Sequence, residues 1–158
     1  MNTTIKKCII LLVGAIVVIG LIVFNHIYEN KRESAYNISA SEREILARLV
    51  YLEAGACGQE CQRAVVSVVF NRLEDGRMGA TIQEVIYWKN AFAPARFIDT
   101  CIPDEKSYEA VDYVLSYGPT IPAKVQYFRD DYDHQWEGYE HYTTYDNMYF
   151  GYFSNGDH

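Results

Sequence analysis

A chain of 158 residues has room for one domain besides whatever its N-terminus takes up. About half of it is apolar, and fourteen tyrosines dominate a high aromatic share, which excludes a disordered chain. The formal net charge of −7, with no Lys/Arg run among aromatics, excludes a nucleic-acid binder, which must neutralise phosphates.

The segment "CIILLVGAIVVIGLIVF" (Cys8 to Phe24) carries no charge and is almost wholly aliphatic. Extended to Tyr28 it reaches the roughly 20 residues that cross a bilayer core. Lys6 and Lys7 precede it, Lys31 and Arg32 follow it, and no small-x-small cleavage site comes close behind. The expectation is an uncleaved, single-pass signal anchor over residues 1–28, N-terminus inside, with the rest of the chain on the extracytoplasmic side.

Cys8 lies at the lip of that segment. Cys57, Cys61 and Cys101 fall in the external part, where disulfides are permitted. Three is odd, so at most one bridge forms among them. Cys57 with Cys61 is the local option, and pairing either with Cys101 would close a longer loop; the sequence leaves both open.

Residues 29–40 are polar and unpatterned, a stalk ahead of a domain expected to span 41–158. "SERE" has capping-box spacing, with Ser41 as N-cap and Glu44 reaching back, so a helix is predicted over 42–54. "GACG" breaks it, and a second helix runs over 59–73, apolar on most sides and hence central. "EDGRMG" is a turn, Thr81 caps a short helix ending near Trp88, and "NAFAPARF" reads as a loop restricted by Pro94. "PDEKSYEAVDYVLSYG" gives a further helix that stops at Gly118. Then the pattern changes: "KVQYF" is a strand, and "HYTTY" and "MYFGYF", joined at "DN", form a hairpin. Helices first and a small sheet last predict an α+β fold with a helical core.

Glu53 is the oddity. Leu46, Leu49 and Val50 mark one side of the first helix, and Glu53 falls on the same side. Either the helix ends before it and leaves it at an exposed edge, or a carboxyl is directed toward apolar surroundings. In the second case desolvation holds its proton to higher pH and makes it a general acid.

The stretch "ARLVYLEAGACGQECQRAVVSVVFNRLEDGRMGATIQEVIYWKNAFAP" resembles the SleB/CwlJ-type cell wall hydrolase family. Tyr51, Glu53, Ala54, Asn71, Arg72, Val85, Ile86, Tyr87, Phe92 and Pro94 take the places of that family's motifs, and "QYFRDDYDHQW" resembles its strand and tryptophan-containing loop. The resemblance extends over about residues 43–153. It implies a lysozyme-like helical domain that cuts the glycosidic bond between N-acetylmuramic acid and N-acetylglucosamine, with Glu53 as acid and then base. Closure of a 1,6-anhydro ring by the sugar's own hydroxyl needs no second carboxylate, whereas hydrolysis does, for which Glu60, Asp99 and Asp104 are candidates. The alternatives are an amidase that cuts the peptide stem and a non-catalytic wall-binding protein of the same fold.

This chain departs from the family at Cys57 and Cys61, which replace a common glutamate and glycine, and at Ala93, where serine is common. The expected substrate-contacting residues are Tyr51, Asn71, Phe92, Tyr127, Trp136 and Tyr142, the last three from the aromatic-rich C-terminal third. No metal or other cofactor is expected. Asp131, Asp133, His134 and His141 are neighbours in sequence, but without the close spacing of a ligand pair such as H-E-x-x-H. The expected partners are peptidoglycan glycan strands and, through the N-terminal segment, the membrane. With twelve Lys/Arg against twenty-one Asp/Glu after residue 28, attraction to an anionic wall does not drive binding.

Overall fold

The computed structural model describes residues 14, 16–21, 36–130 and 137–154. The chain divides into two units, residues 1–34 and 35–158. In the first, residues 16–21 are helical (α1), with Ile16 to Ile19 and Leu21 exposed. Most of the segment expected to span a membrane lies outside the described residues. Among the described residues no helix is long and apolar enough to cross one.

In the second unit helix α2 covers Ala40–Ala54. Its capping box is Ser39 with Glu42, not Ser41 with Glu44: Ser39 Oγ accepts from Glu42 N, and the Glu42 carboxylate accepts from Ser39 N at 2.8 Å. The two S-x-x-E phrases overlap, and Glu44 is engaged elsewhere, accepting from Arg48 Nε at 2.8 Å and from the Tyr108 hydroxyl. Tyr36 stacks on Phe70 with ring centroids 4.1 Å apart, and Ile38 also packs on the core. Residues 36–40, expected as stalk, therefore belong to the domain.

Helix α3 (Gln59–Asp75) is the central element. Val65, Val66, Val68, Val69 and Phe70 are all fully buried, and each such side chain contributes about 1.5–3 kcal/mol of burial. Gly76 ends the helix with φ 74°, a left-handed cap that glycine adopts without a Cβ clash. Helix α4 (Ile82–Tyr87) starts at Thr81, whose hydroxyl accepts from Glu84 N. The stretch read as loop is instead a 3-10 helix, Ala93–Thr100, with Pro94 in its first turn, where a missing N–H costs nothing. Helix α5 (Glu105–Tyr117) is capped by Asp104 and ends at Gly118, and it buries Val111, Val114 and Leu115 against α2 and α3.

Strands β1 (Tyr127–Arg129), β2 (Tyr139–Tyr145) and β3 (Met148–Phe153) form an antiparallel sheet in the order β1-β3-β2. The hairpin turns at Asp146 and Asn147, as expected, and its register slips between His141 and Thr143, leaving Tyr142 as an extra residue. Gly151 is required by close packing, since a Cβ there would lie 2.2 Å from the Glu140 carbonyl oxygen. The α+β architecture with a helical core and a small C-terminal sheet is thus present.

Candidate active site

Glu53 sits in the last turn of α2, one turn beyond the buried Val50 and next to the buried Ala54. Its helix end is held from below. Gln62, fully buried on α3, donates from Nε2 to the Ala54 carbonyl at 3.0 Å. Glu53 is neither at an open edge nor sealed in the core; it is half-buried. Desolvation is the largest influence on its carboxyl and raises the pKa to about 7; the Arg72 charge pulls the other way, and the Asp130 carboxylate adds to the rise. Near neutrality a large fraction of Glu53 therefore keeps its proton.

Arg72 is the partner that the sequence reading noted only as part of a motif. It is buried near the end of α3, donates from Nε to the Gln126 carbonyl at 2.7 Å, and reaches the Ala91 carbonyl at 3.3 Å. Its guanidinium lies 4.7 Å from the Phe92 ring centroid and 5.2 Å from that of Tyr127. Desolvation lowers its pKa to about 10, which leaves it a cation at neutral pH.

Arg72 also lines a cleft of about 630 Å³, together with Trp88, Asn90, Tyr127, Phe128, Glu137 and Phe153. This is a volume suited to sugar rings, with aromatic faces for stacking and few polar groups to orient them. A second hollow of about 490 Å³ lies across Tyr127 and Phe153, lined by Glu74, Asp75, Arg77 and Lys124 among others. Trp88, about half exposed, and Asn90, at φ 62°, were not among the expected contacts. An exposed tryptophan directly after a helix was the available signal.

The expected contact residues separate. Tyr127 is in the cleft wall. Phe92 is buried and packs on Phe128, with centroids 6.0 Å apart, and so supports Arg72 from behind. Asn71 is buried and donates from Nδ2 to the carbonyls of Pro122 and Val125, both at 2.9 Å, which docks the approach to β1 on α3. Tyr51 and Tyr142 are exposed and line neither cavity. Trp136, Asp131, Asp133 and His134 lie outside the described residues. His141 is described, with its ring within 2.9 Å of the Thr144 hydroxyl. Of the expected second carboxylates, Glu60 and Asp99 are exposed, and Asp104 is occupied as the α5 cap. The carboxylate that influences Glu53 is Asp130.

Cys57, Cys61 and Cys101 are all free thiols. Cys101 is remote from the other two, its Sγ against the carbonyls of Arg48 and Ile98. Cys57 and Cys61 lie side by side, and burial together with the Cys57 sulfur pushes the Cys61 thiol far above its usual pKa.

A family profile described as Cell Wall Hydrolase matches residues 57–151. The chain belongs to this family. Among solved structures, the catalytic domain of the germination-specific lytic transglycosylase SleB from Bacillus anthracis superposes with a TM-score of 0.65 at 19% identity, covering 73% of this chain and 97% of that one. The catalytic domain of the Bacillus cereus SleB protein gives a TM-score of 0.66 at 19% identity over 75% and 95% of the two chains. At such identity the likeness is one of fold. No curated protein sequence matches the chain. The family match begins just past Glu53, so membership in this cell wall hydrolase family assigns no role to that carboxyl.

Proposed function

We propose that this cell wall hydrolase cleaves the glycosidic bond between N-acetylmuramic acid and N-acetylglucosamine as a lytic transglycosylase, with Glu53 as its single acid and base. The observation that carries the reading is the half-buried Glu53 carboxyl, protonated up to about pH 7 and under the influence of the Arg72 charge; Arg72, not Glu53, lines the aromatic cleft. Family membership and the fold of the SleB catalytic domains support peptidoglycan as substrate. Glu53 gives its proton to the bridging oxygen as the C1–O bond breaks. The resulting carboxylate then takes the proton of the muramic C6 hydroxyl as that oxygen closes on C1. Arg72, fixed by two carbonyls, stabilises the carboxylate between the two transfers. Tyr127 and Trp88 supply faces for the sugars.

Asp130 favours a second reading, hydrolysis, because a second carboxylate near the acid could direct a water. Mass spectrometry of fragments released from purified sacculi decides between the routes. Anhydro-muramic ends are expected. Reducing ends that disappear in Asp130→Asn would replace the transglycosylase with a hydrolase, and free stem peptides from intact glycans would reject glycosidic cleavage in favour of an amidase. Bound wall fragments without any release would mean a non-catalytic binder.

The uncharged run from Cys8 to Phe24 supports a membrane-anchored enzyme whose domain faces the wall. The full chain should sediment with membranes and need detergent for release, while a chain lacking residues 1–28 should remain in the supernatant. Release of the full chain by salt alone would reject the anchor.

A further inference from the structure

The loop that follows Glu53 carries a cluster that the glycosidase reading does not use. Cys57 Sγ, Cys61 Sγ and an Asp146 carboxylate oxygen all lie within 4.8 Å of one another, at the junction of the α3 N-terminus and the β2–β3 turn. Each donor is placed by a different feature of the fold. Cys61 stands in the first turn of α3, fully buried, and Cys57 lies four residues before it, just ahead of the helix. The Cys57 amide donates to the Ala54 carbonyl at 3.0 Å, which fixes the loop. Asp146 has a φ of 51° in the tight turn, and its Oδ2 accepts from Gly58 N at 2.8 Å, which leaves its other oxygen available. A fourth donor, and third sulfur, is at hand, since Met148 Sδ lies 3.3 Å from Cys61 Sγ.

We propose that Cys57, Cys61 and Asp146 form a binding site for a zinc-class divalent cation, which joins the start of α3 to the hairpin. Thiolates exclude calcium and magnesium as natural occupants, and the hard carboxylate beside them suits zinc(II) better than copper(I). Donors around a tetrahedral zinc stand roughly 3.5–3.8 Å apart. The three donor atoms need only a modest contraction from their present spread to meet that geometry. The fourth position is filled by water or by the Met148 thioether. On binding, both thiols release their protons to solvent, and no oxidant or reductant is involved. The cation fixes the loop that follows Glu53, and takes no part in bond cleavage.

The test is a titration of the full-length chain in detergent, reduced and freed of metal, with cobalt(II) and then zinc(II). One equivalent of cobalt should give thiolate charge-transfer absorption and the strong visible bands of a tetrahedral site, and zinc should bleach both. Asp146→Asn, at an exposed position, should keep its circular dichroism spectrum and weaken cobalt binding at least about tenfold, the usual cost of losing a contact worth about 1.4 kcal/mol. Cys57→Ser should remove the charge-transfer band, and Cys101→Ser should leave it unchanged. Zinc should also raise the thermal midpoint of the parent but not of Cys57→Ser. The proposal is overturned by absent thiolate bands in protein with free thiols, or by bands that survive in both Cys57→Ser and Asp146→Asn. A Cys57–Cys61 disulfide in protein isolated with zinc present overturns it too. None of these readings depends on wall digestion, so failure of the glycosidase assignment and failure of the metal site are separate results.

Discussion

Replacing Glu53 with glutamine is expected to stop digestion of sacculi and, at the same time, to make the protein more stable in mild base. Loss of the acid should lower turnover on the order of a thousandfold. The stability gain follows from proton linkage. Glu53 has a folded pKa raised from 4.5 to about 7, so between these values the native state holds a proton that the unfolded chain has released. Stability therefore falls as pH rises through that window, and above it the fold carries the full cost of a desolvated carboxylate. Glutamine has no charge to bury. Glu53→Gln should match the parent at about pH 4.5 and exceed it by roughly 3 kcal/mol at about pH 8. Urea melts at the two pH values measure the difference, and a stability gap that does not change with pH would show that Glu53 is an ordinary solvated carboxylate. In the parent, kcat/KM should decline above about pH 7 as the acid is lost.

Arg72→Met is expected to have the second largest effect, on both stability and pH profile. Methionine fills much of the space between Phe92 and Tyr127, but leaves the carbonyls of Gln126 and Ala91 without this donor. Hydrogen bonds from a charged group are worth about 1.5–3 kcal/mol each, and the 3.3 Å contact is the weaker, so a loss of roughly 2–4 kcal/mol is expected in urea melts. The profile tells this apart from simple loosening. Arg72 lowers the Glu53 pKa, so its removal should move the alkaline limb of kcat/KM upward in pH while the maximum falls. An unchanged limb would mean that Arg72 is a purely structural residue and that its charge does not reach the acid. Arg72→Lys keeps the charge without the planar fork, and should restore the limb more fully than the stability.

The elements were legible where the signal is local. Helix α3 and its burial, the Thr81 cap, the stop at Gly118 and the hairpin at Asp146 all follow from spacing and turn chemistry read within a few residues. The α2 cap moved by two residues because Ser39 and Ser41 each begin an S-x-x-E phrase; a contact with distant Tyr108 holds Glu44 away from a capping role. The 3-10 helix at Ala93–Thr100 has too few turns to impose a period on its sequence.

In the site, Glu53 was legible as a carboxyl on an apolar face. Its electrostatic neighbours were not, because Arg72 and Asp130 come to it through tertiary contacts that no local pattern encodes. Asn71 has a second employment that no local pattern announces: expected to touch substrate, it lines the hollow of about 490 Å³ and also donates from Nδ2 to the carbonyls of Pro122 and Val125. Adjacent residues on one helix thus divide the work: Asn71 and Arg72 both grip the approach to β1, and the charge of Arg72 also reaches Glu53.

That grip ties the enzyme's chemistry to the order in which it folds. The helix bearing Glu53 comes early in the chain, whereas Gln126 and Tyr127, which hold Arg72, and Asp130, whose charge reaches Glu53, come late. Arg72 is fixed, and the Asp130 charge brought to Glu53, only when the segment leading into β1 docks on α3. On the proposed function, a copy clipped before Gln126 should therefore release no glycan fragments from sacculi, even where its helices are retained.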